Sequence, residues 1–215
     1  AGHFAGLTAK VARNSPPGMQ LFIQIPDCER IFSEGAFEDI YYEHCNYFTE
    51  ASLVGLFARH GFAVEAVSRE YAGQYLTMLA RFTGTRSAGV DADEIARLRA
   101  MVQRFGAIHA ERVAGWRQLV RARQAACKRV VLWGSGSKGV TFLGALGEGD
   151  GVSHVVDINP HRQGHYMVGT GHPIVAPEAL VALQPATVIV MNAVYRAEVA
   201  AQLAGLGLDP ELLSL

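Results

Sequence analysis

The sequence predicts an α/β protein: a Rossmann-like parallel sheet at the C-terminal end, preceded by a shorter mixed α/β segment and a long connecting helix. Three observations predict it. From Lys128 onward, short β-branched runs alternate with helical stretches. Gly134 to Gly139 forms a GxGxxG between one such run and the helix that follows it. Between Ile95 and Val120, apolar residues recur at spacings near three, four and seven. Strands and helices in alternation imply a parallel sheet covered on both faces, because each parallel strand needs a crossover to the next.

The elements follow in order. Ser15-Pro16-Pro17-Gly18 is a turn, and the apolar run Leu21–Ile25, ended by Pro26, reads as a buried strand. Thr49 is placed to N-cap a helix whose Leu53, Leu56 and Phe57 share one face and which Gly61 ends. Phe62–Val67 and Tyr75–Phe82 then read as an antiparallel pair around Ala72-Gly73. These elements make up a first domain, residues 1–85. Small residues from Gly84 to Gly89 form a linker, and Ile95, Leu98, Val102, Phe105, Val113, Trp116 and Val120 place an amphipathic stripe on one long helix, or on two broken at Gly106 or Gly115. Residues 86–127 are therefore connecting structure. In the last domain, residues 128–215, the expected order is strand 129–133, helix 138–146, strand 154–158, short helix 177–183, strand 187–191 and helix 198–206.

Composition narrows the function. A net charge of -1 over 215 residues attracts neither nucleic acid nor an anionic membrane, so a small-molecule partner is expected. The cysteines, Cys28, Cys45 and Cys127, are three in number and widely spaced, which suits a reducing cytoplasm rather than a disulfide framework. No apolar run reaches the roughly 18 residues of a membrane span.

Two constellations carry chemistry. In Gly134-Ser135-Gly136-Ser137-Lys138-Gly139, glycine lets the backbone approach a phosphate while the helix start offers unpaired N–H groups. This makes Gly134, Gly136, Lys138 and Gly139 candidate binding residues. The competing reading is that small residues there only pack helix on strand. Asp157, at the end of the next strand, stands where a ribose-binding acid would, so an NAD(P) site is a rival. Asn159 and Tyr195 lie in loops that should leave the same sheet edge. His161, His165 and His172 share a Gly/Pro-broken loop with no accompanying carboxylate or cysteine, and no metal is assigned to them. The second constellation, Asp39-Ile40-Tyr41-Tyr42-Glu43-His44-Cys45-Asn46-Tyr47-Phe48, packs phenol, carboxylate and imidazole together, a set suited to proton abstraction beside a carbonyl; the competing reading is that the aromatics are core and His44 is a satisfied polar residue at a helix entry.

These residues resemble the S-adenosylmethionine-dependent C-methyltransferases of deoxysugar biosynthesis, which methylate a carbon beside the ketone of a nucleotide-linked sugar. The resemblance spans nearly the whole chain. It rests on Gln24-Ile25-Pro26-Asp27, Tyr41-Tyr42-Glu43-His44 with Tyr47-Phe48, Gly73-Gln74-Tyr75-Leu76 and Leu132–Gly139. Further along, Val156-Asp157-Ile158-Asn159-Pro160, Gln163-Gly164, Gly169-Thr170 and Pro173-Ile174 extend it. It implies that residues 1–85 are the end of a class I methyltransferase-like domain and that residues 128–215 are the family's Rossmann-like C-terminal domain. It also implies His44 as catalytic base, assisted by Tyr41 and Glu43, and a nucleotide-sugar held by the C-terminal domain.

The sequence shows no cysteine cluster near its start and no glycine-rich loop before Leu21, so the donor-binding half is expected to be absent and S-adenosylmethionine to be a cofactor of the complete enzyme. A missing N-terminal portion or a homodimer are the protein partners this leaves open. Two alternatives stand beside the enzyme: a nucleotide-sugar binding module that transfers nothing, and a small NAD(P)-binding protein.

Overall fold

A computed structural model of the protein describes residues 2–87, 89–147, 149 and 151–215; Ala88 of the expected linker lies outside them. The described residues divide into two compact units. One runs to Gly35 and resumes over Tyr42–Ala107; the other comprises Ala36–Tyr41 and Ile108–Leu215. Six residues that the sequence assigns to the first domain thus pack with the second.

The first unit contains helix α1 (Gly2–Asn14), strand β1 (Gln20–Pro26), helices α2 (Cys28–Glu34) and α3 (Glu50–Arg59), and strands β2 (Phe62–Glu70) and β3 (Tyr75–Phe82). Its sheet has the order β1-β3-β2, with β3 antiparallel to both neighbours. Helix α3 starts where expected, because Thr49 and Ser52 form a reciprocal capping box: Ser52 N donates to Thr49 Oγ1 at 3.3 Å and Thr49 N to Ser52 Oγ at 2.9 Å. Its Leu53, Leu56 and Phe57 bury against Phe62, Met78 and Ala80 of the sheet. Helices α1 and α2 were not expected. The second of them is capped by buried Asp27, whose Oδ1 accepts from Glu29 N at 2.9 Å, and it ends at Gly35 in the left-handed conformation.

Helix α4 (Ala92–Ala125) is continuous over 34 residues. Side chains at Gly106 and Gly115 would meet nothing within 4 Å, so these glycines weaken the helix only through propensity and do not break it. The expected stripe is buried only in part. Val113 and Val120 are buried in the second unit, where Trp116 meets Phe142 edge-on at 5.4 Å. In the first unit α2 covers Phe105 with Phe32 at 5.1 Å, while Ile95 and Val102 remain exposed. None of the helices described is long and apolar enough to cross a membrane.

Beyond α4, the second unit contains β4 (Val130–Trp133), α5 (Ser137–Leu146), β5 (Val152–Val156), β6 (Ile174–Val175), α6 (Leu180–Leu183), β7 (Thr187–Val190), α7 (Arg196–Gly205) and β8 (Glu211–Ser214). The sheet is fully parallel, in the order β6-β5-β4-β7-β8, and adds strands β6 and β8 to those expected. Every residue of β4 and β7 is buried, as strands covered on both faces must be. Val131, Trp133, Val188 and Val190 pack with Leu180, Val199 and Leu203 of α6 and α7. From β4 the chain moves through β5 to β6 on one side, then returns to β7 on the other. The strand order therefore reverses beside β4, and a crevice opens at the carboxyl ends of the strands where it does so.

The glycine turn after β4 separates packing from function. Gly134 adopts φ +115°, which a residue with a side chain rarely tolerates. A Cβ on Gly139 would lie 2.5 Å from the Gly134 carbonyl oxygen, so its absence lets α5 settle on the turn. Gly136 has an ordinary φ of -73°, and a Cβ there would meet only Arg162 Nη1, at 3.6 Å. The fold thus requires the outer glycines and not the middle one. Gly139→Ala is expected to lower unfolding stability by about 1–3 kcal/mol through overpacking, and Gly136→Ala by less, about 1 kcal/mol at most for an N-cap change. Urea denaturation of the two variants checks this; equal losses would mean that the middle glycine is also a packing residue.

Candidate functional site

The crevice holds a cavity of about 460 Å³ built wholly from the second unit. Its floor is the end of β4 and the start of α5: Trp133, Gly134, Gly136, Ser137, Lys138 and Gly139. Asp157 and Ile158 enter from the end of β5; Val190, Met191 and Asn192 from β7; Tyr195, Glu198, Val199 and Gln202 from α7 and the turn before it. Tyr41 lines it as well. The cavity is about the size of sites that take a small ligand, and it combines apolar walls with a few convergent polar groups.

Helix α5 has no side-chain cap at Gly136, so among the described residues its first-turn amides lack an internal acceptor, and Ser137, Lys138 and Gly139, which carry them, line the cavity. The first intrahelical bond runs from Val140 N to Gly136 O at 3.1 Å. Unpaired amides with the positive end of the helix dipole behind them favour an anionic group.

Asp157 shapes this turn. It is buried, and its Oδ2 accepts from Ser135 N at 3.0 Å and from the Ser135 hydroxyl, while Oδ1 accepts from Asn159 N at 2.9 Å. Burial alone would raise the pKa of this carboxyl, but the Ser135 hydroxyl, the Asn159 and Ser135 amides and the charge of Arg162 outweigh it and hold it below the ordinary aspartate value. With both oxygens engaged inside the protein, Asp157 acts on the turn. This weighs against its reading as a ribose ligand.

Of the residues the sequence proposes for binding, Gly134, Gly136, Lys138, Gly139, Asp157 and Tyr195 line the cavity. Asn159 does not; it forms a turn in which its Oδ1 accepts from His161 N at 3.0 Å. Lys138 lines the cavity, yet its ammonium is 2.9 Å from Oδ2 of buried Asp39. That pair fixes a short 3-10 turn, Phe37–Asp39, on α5, with Phe37 stacked on Phe142 at 6.3 Å. Glu38 of the same turn is 4% exposed, and its Oε2 has no hydrogen-bond partner among the described residues. Burial, with Asp39 adding to it, pushes the Glu38 carboxyl above its ordinary pKa.

Two residues beyond this turn, Tyr41 reaches the cavity, whereas Glu43 and His44 belong to the first unit. Glu43 is exposed, and the His44 ring lies edge-on to Tyr47, with centroids 6.2 Å apart.

Sequence reasoning missed Arg162, Asn192, Glu198 and Gln202, and the pairing of Asp39 with Lys138. Arg162 and Asn192 fall in loops singled out as leaving the functional edge, but their types carried no motif. Glu198 and Gln202, four residues apart on one helix, were legible as a polar face, and only the strand order shows that this face borders the crevice.

Likenesses to known proteins include the following. The family model of the C-methyltransferase C-terminal domain matches residues 88–208, more than half of the chain. C-methyltransferase NovU of Streptomyces niveus is 29% identical over 184 residues, which cover 80% of this chain and 43% of that protein. The chain therefore spans less than half the length of this relative. The crystal structure of RSP, a Rex-family repressor, aligns over 61% of this chain and 64% of that one with 14% identity and a TM-score of 0.32, too slight a likeness to carry an argument. On the match over residues 88–208, the chain belongs to the C-methyltransferase family and includes that family's C-terminal domain.

Proposed function

We propose that this chain is the later part of an S-adenosylmethionine-dependent enzyme that methylates a carbon beside the ketone of a nucleotide-linked sugar, and that the cavity of the second unit takes the nucleoside diphosphate. The observation that carries this reading is the middle glycine of the turn. Gly136 borders the cavity at the uncapped start of α5, and the fold itself has no need of its missing side chain. A site that keeps such a position bare beside free amides suits close approach by a phosphate.

Within this reading, residues 1–85 are the end of a class I methyltransferase-like domain. The edge position of β1 and the exposure of Phe22 on it support this, since both suit continuation of the sheet by further strands. The described residues do not offer a cradle for the methyl donor. The turn after β1 is closed by Asp27, which caps α2 and pairs with Arg69 at 2.9 Å. The three cysteines are free thiols, which supports a cytoplasmic location.

The chemistry assigned to this chain is proton abstraction. Tyr41 lines the cavity, and His44 stands three positions after it in the sequence. His44 is proposed to take the proton from the carbon beside the ketone, with Tyr41 donating a hydrogen bond to the developing enolate oxygen and Glu43 orienting the imidazole. A nucleotide-sugar binding module without catalysis would use the same cavity and leave His44 idle.

Calorimetry on the isolated chain tests the binding reading. A nucleoside diphosphate is expected to bind more tightly than S-adenosylmethionine or NAD; tight binding of either of these with none of the nucleotide would overturn it. The catalytic assignment is tested in the full-length enzyme containing this segment, by following solvent deuterium into the keto-sugar in the absence of the methyl donor. His44→Asn is expected to slow exchange by about 100-fold or more with little change in sugar-nucleotide affinity, and Tyr41→Phe to slow it less. Exchange at the wild-type rate in His44→Asn would remove His44 as the base and favour the binding module.

A further inference from the structure

We infer that Arg162, a residue no sequence motif marks, is the cation that contacts the diphosphate, and that Lys138, the basic residue of the glycine motif, is a tether. This inference rests on the nucleotide reading of the cavity and deepens it.

The two cations nearest the turn differ in what already holds them. Lys138 is paired at 2.9 Å with Asp39, which is 6% exposed and sits beside the still more buried Glu38. A ligand that drew the ammonium away would break the ion pair of a buried carboxylate that sits next to a second acidic group, a costly rearrangement. The charge of Lys138 is therefore committed to holding the 37–39 turn on α5.

Arg162 is held loosely by comparison. Its Nη1 lies 3.3 Å from Ser135 Oγ and 3.5 Å from Asp157 Oδ2, both at the long end of hydrogen-bonding range. Asp157 is already satisfied by the Ser135 amide and hydroxyl, so the guanidinium is not what makes its burial tolerable. Among the described residues, Nε and Nη2 of Arg162 make no hydrogen bond, and the side chain is 48% exposed. Its position is specific nonetheless: Nη1 stands 3.6 Å from where a Cβ on Gly136 would be, beside the one glycine that the fold does not require.

Arg162 is not itself a lining residue of the cavity, but its guanidinium stands beside Gly136, the N-cap position of α5, and a planar fork matches two phosphate oxygens better than an ammonium does. The Asp157 carboxylate under the turn would repel a dianion. A guanidinium at this point offsets that repulsion and attracts phosphate, while opposing a positively charged sulfonium.

The test compares wild type, Arg162→Gln and Arg162→Lys by calorimetry. The ligands are uridine, thymidine and guanosine diphosphates, the corresponding nucleosides and inorganic pyrophosphate, at two salt concentrations, with circular dichroism to confirm folding. The expected result is a loss of roughly 10- to 100-fold in diphosphate affinity for Arg162→Gln, partial recovery in Arg162→Lys, a shallower salt dependence in Arg162→Gln, and a much smaller change for the nucleosides. If Arg162→Gln fails to fold, Arg162→Lys alone decides: diphosphate affinity falling more than nucleoside affinity supports the assignment, and affinities equal to wild type overturn it. A wild-type chain that binds a diphosphate, together with an Arg162→Gln that binds it equally or loses nucleoside affinity to the same extent, overturns the role of Arg162 and leaves the nucleotide reading standing. A wild-type chain that binds none of the ligands removes both.

Discussion

The buried carboxylate of Asp157 accepts the amide and hydroxyl of Ser135 on one oxygen and the amide of Asn159 on the other, and the architecture of the cavity depends on this arrangement. It joins the ends of two adjacent parallel strands at the point where each chain turns away. Desolvating an anion is costly, and here a hydroxyl and two amides share the compensation with the more distant charge of Arg162. Next to Ser135, Gly134 takes a positive φ, and α5 follows its N-cap Gly136 with Gly139 close against the Gly134 carbonyl. An acid that elsewhere would address the ligand is spent on holding the surface that does.

Ala36–Tyr41 belongs with the second unit although the residues on either side of it belong to the first. Phe37 packs on Phe142, Asp39 pairs with Lys138, and Tyr41 then lines the cavity. The proposed base, His44, follows three residues later. Variation at Asp39 or Lys138 would accordingly be felt through the placement of Tyr41 rather than through direct contact with phosphate.

Much of this was legible in the residues. The Thr49 cap with Leu53, Leu56 and Phe57 has a short-range cause and forms as written. So do the antiparallel pair β2 and β3 and the alternation after Lys128. Helix α2 escaped because Pro26 reads as the end of a strand and draws attention from Asp27, which caps the helix that follows. Strands β6 and β8 escaped for another reason: Ile174–Val175 is two residues long, and Glu211–Ser214 contributes little apolar pattern, so both exist only because an edge of the sheet is there to pair with. In the cavity, glycine spacing marked the turn, but spacing cannot tell a glycine kept for packing from one kept for access. That distinction lies in a 2.5 Å approach to backbone at position 139 and an ordinary 3.6 Å contact with the tip of Arg162 at 136. Nor does sequence show that Lys138 is already paired, since its partner lies 99 residues away.

The central claim is that the crevice beside β4 receives the diphosphate of a nucleotide on the first turn of α5. Backbone amide chemical shifts of the isotopically labelled chain, followed during titration with uridine or thymidine diphosphate, address it most directly. The account predicts the largest and saturable shifts at Ser135, Gly136, Ser137, Lys138 and Gly139, with smaller ones at Asn192 and Tyr195. Saturable shifts confined to residues away from these loops, or none with either nucleotide, would contradict it.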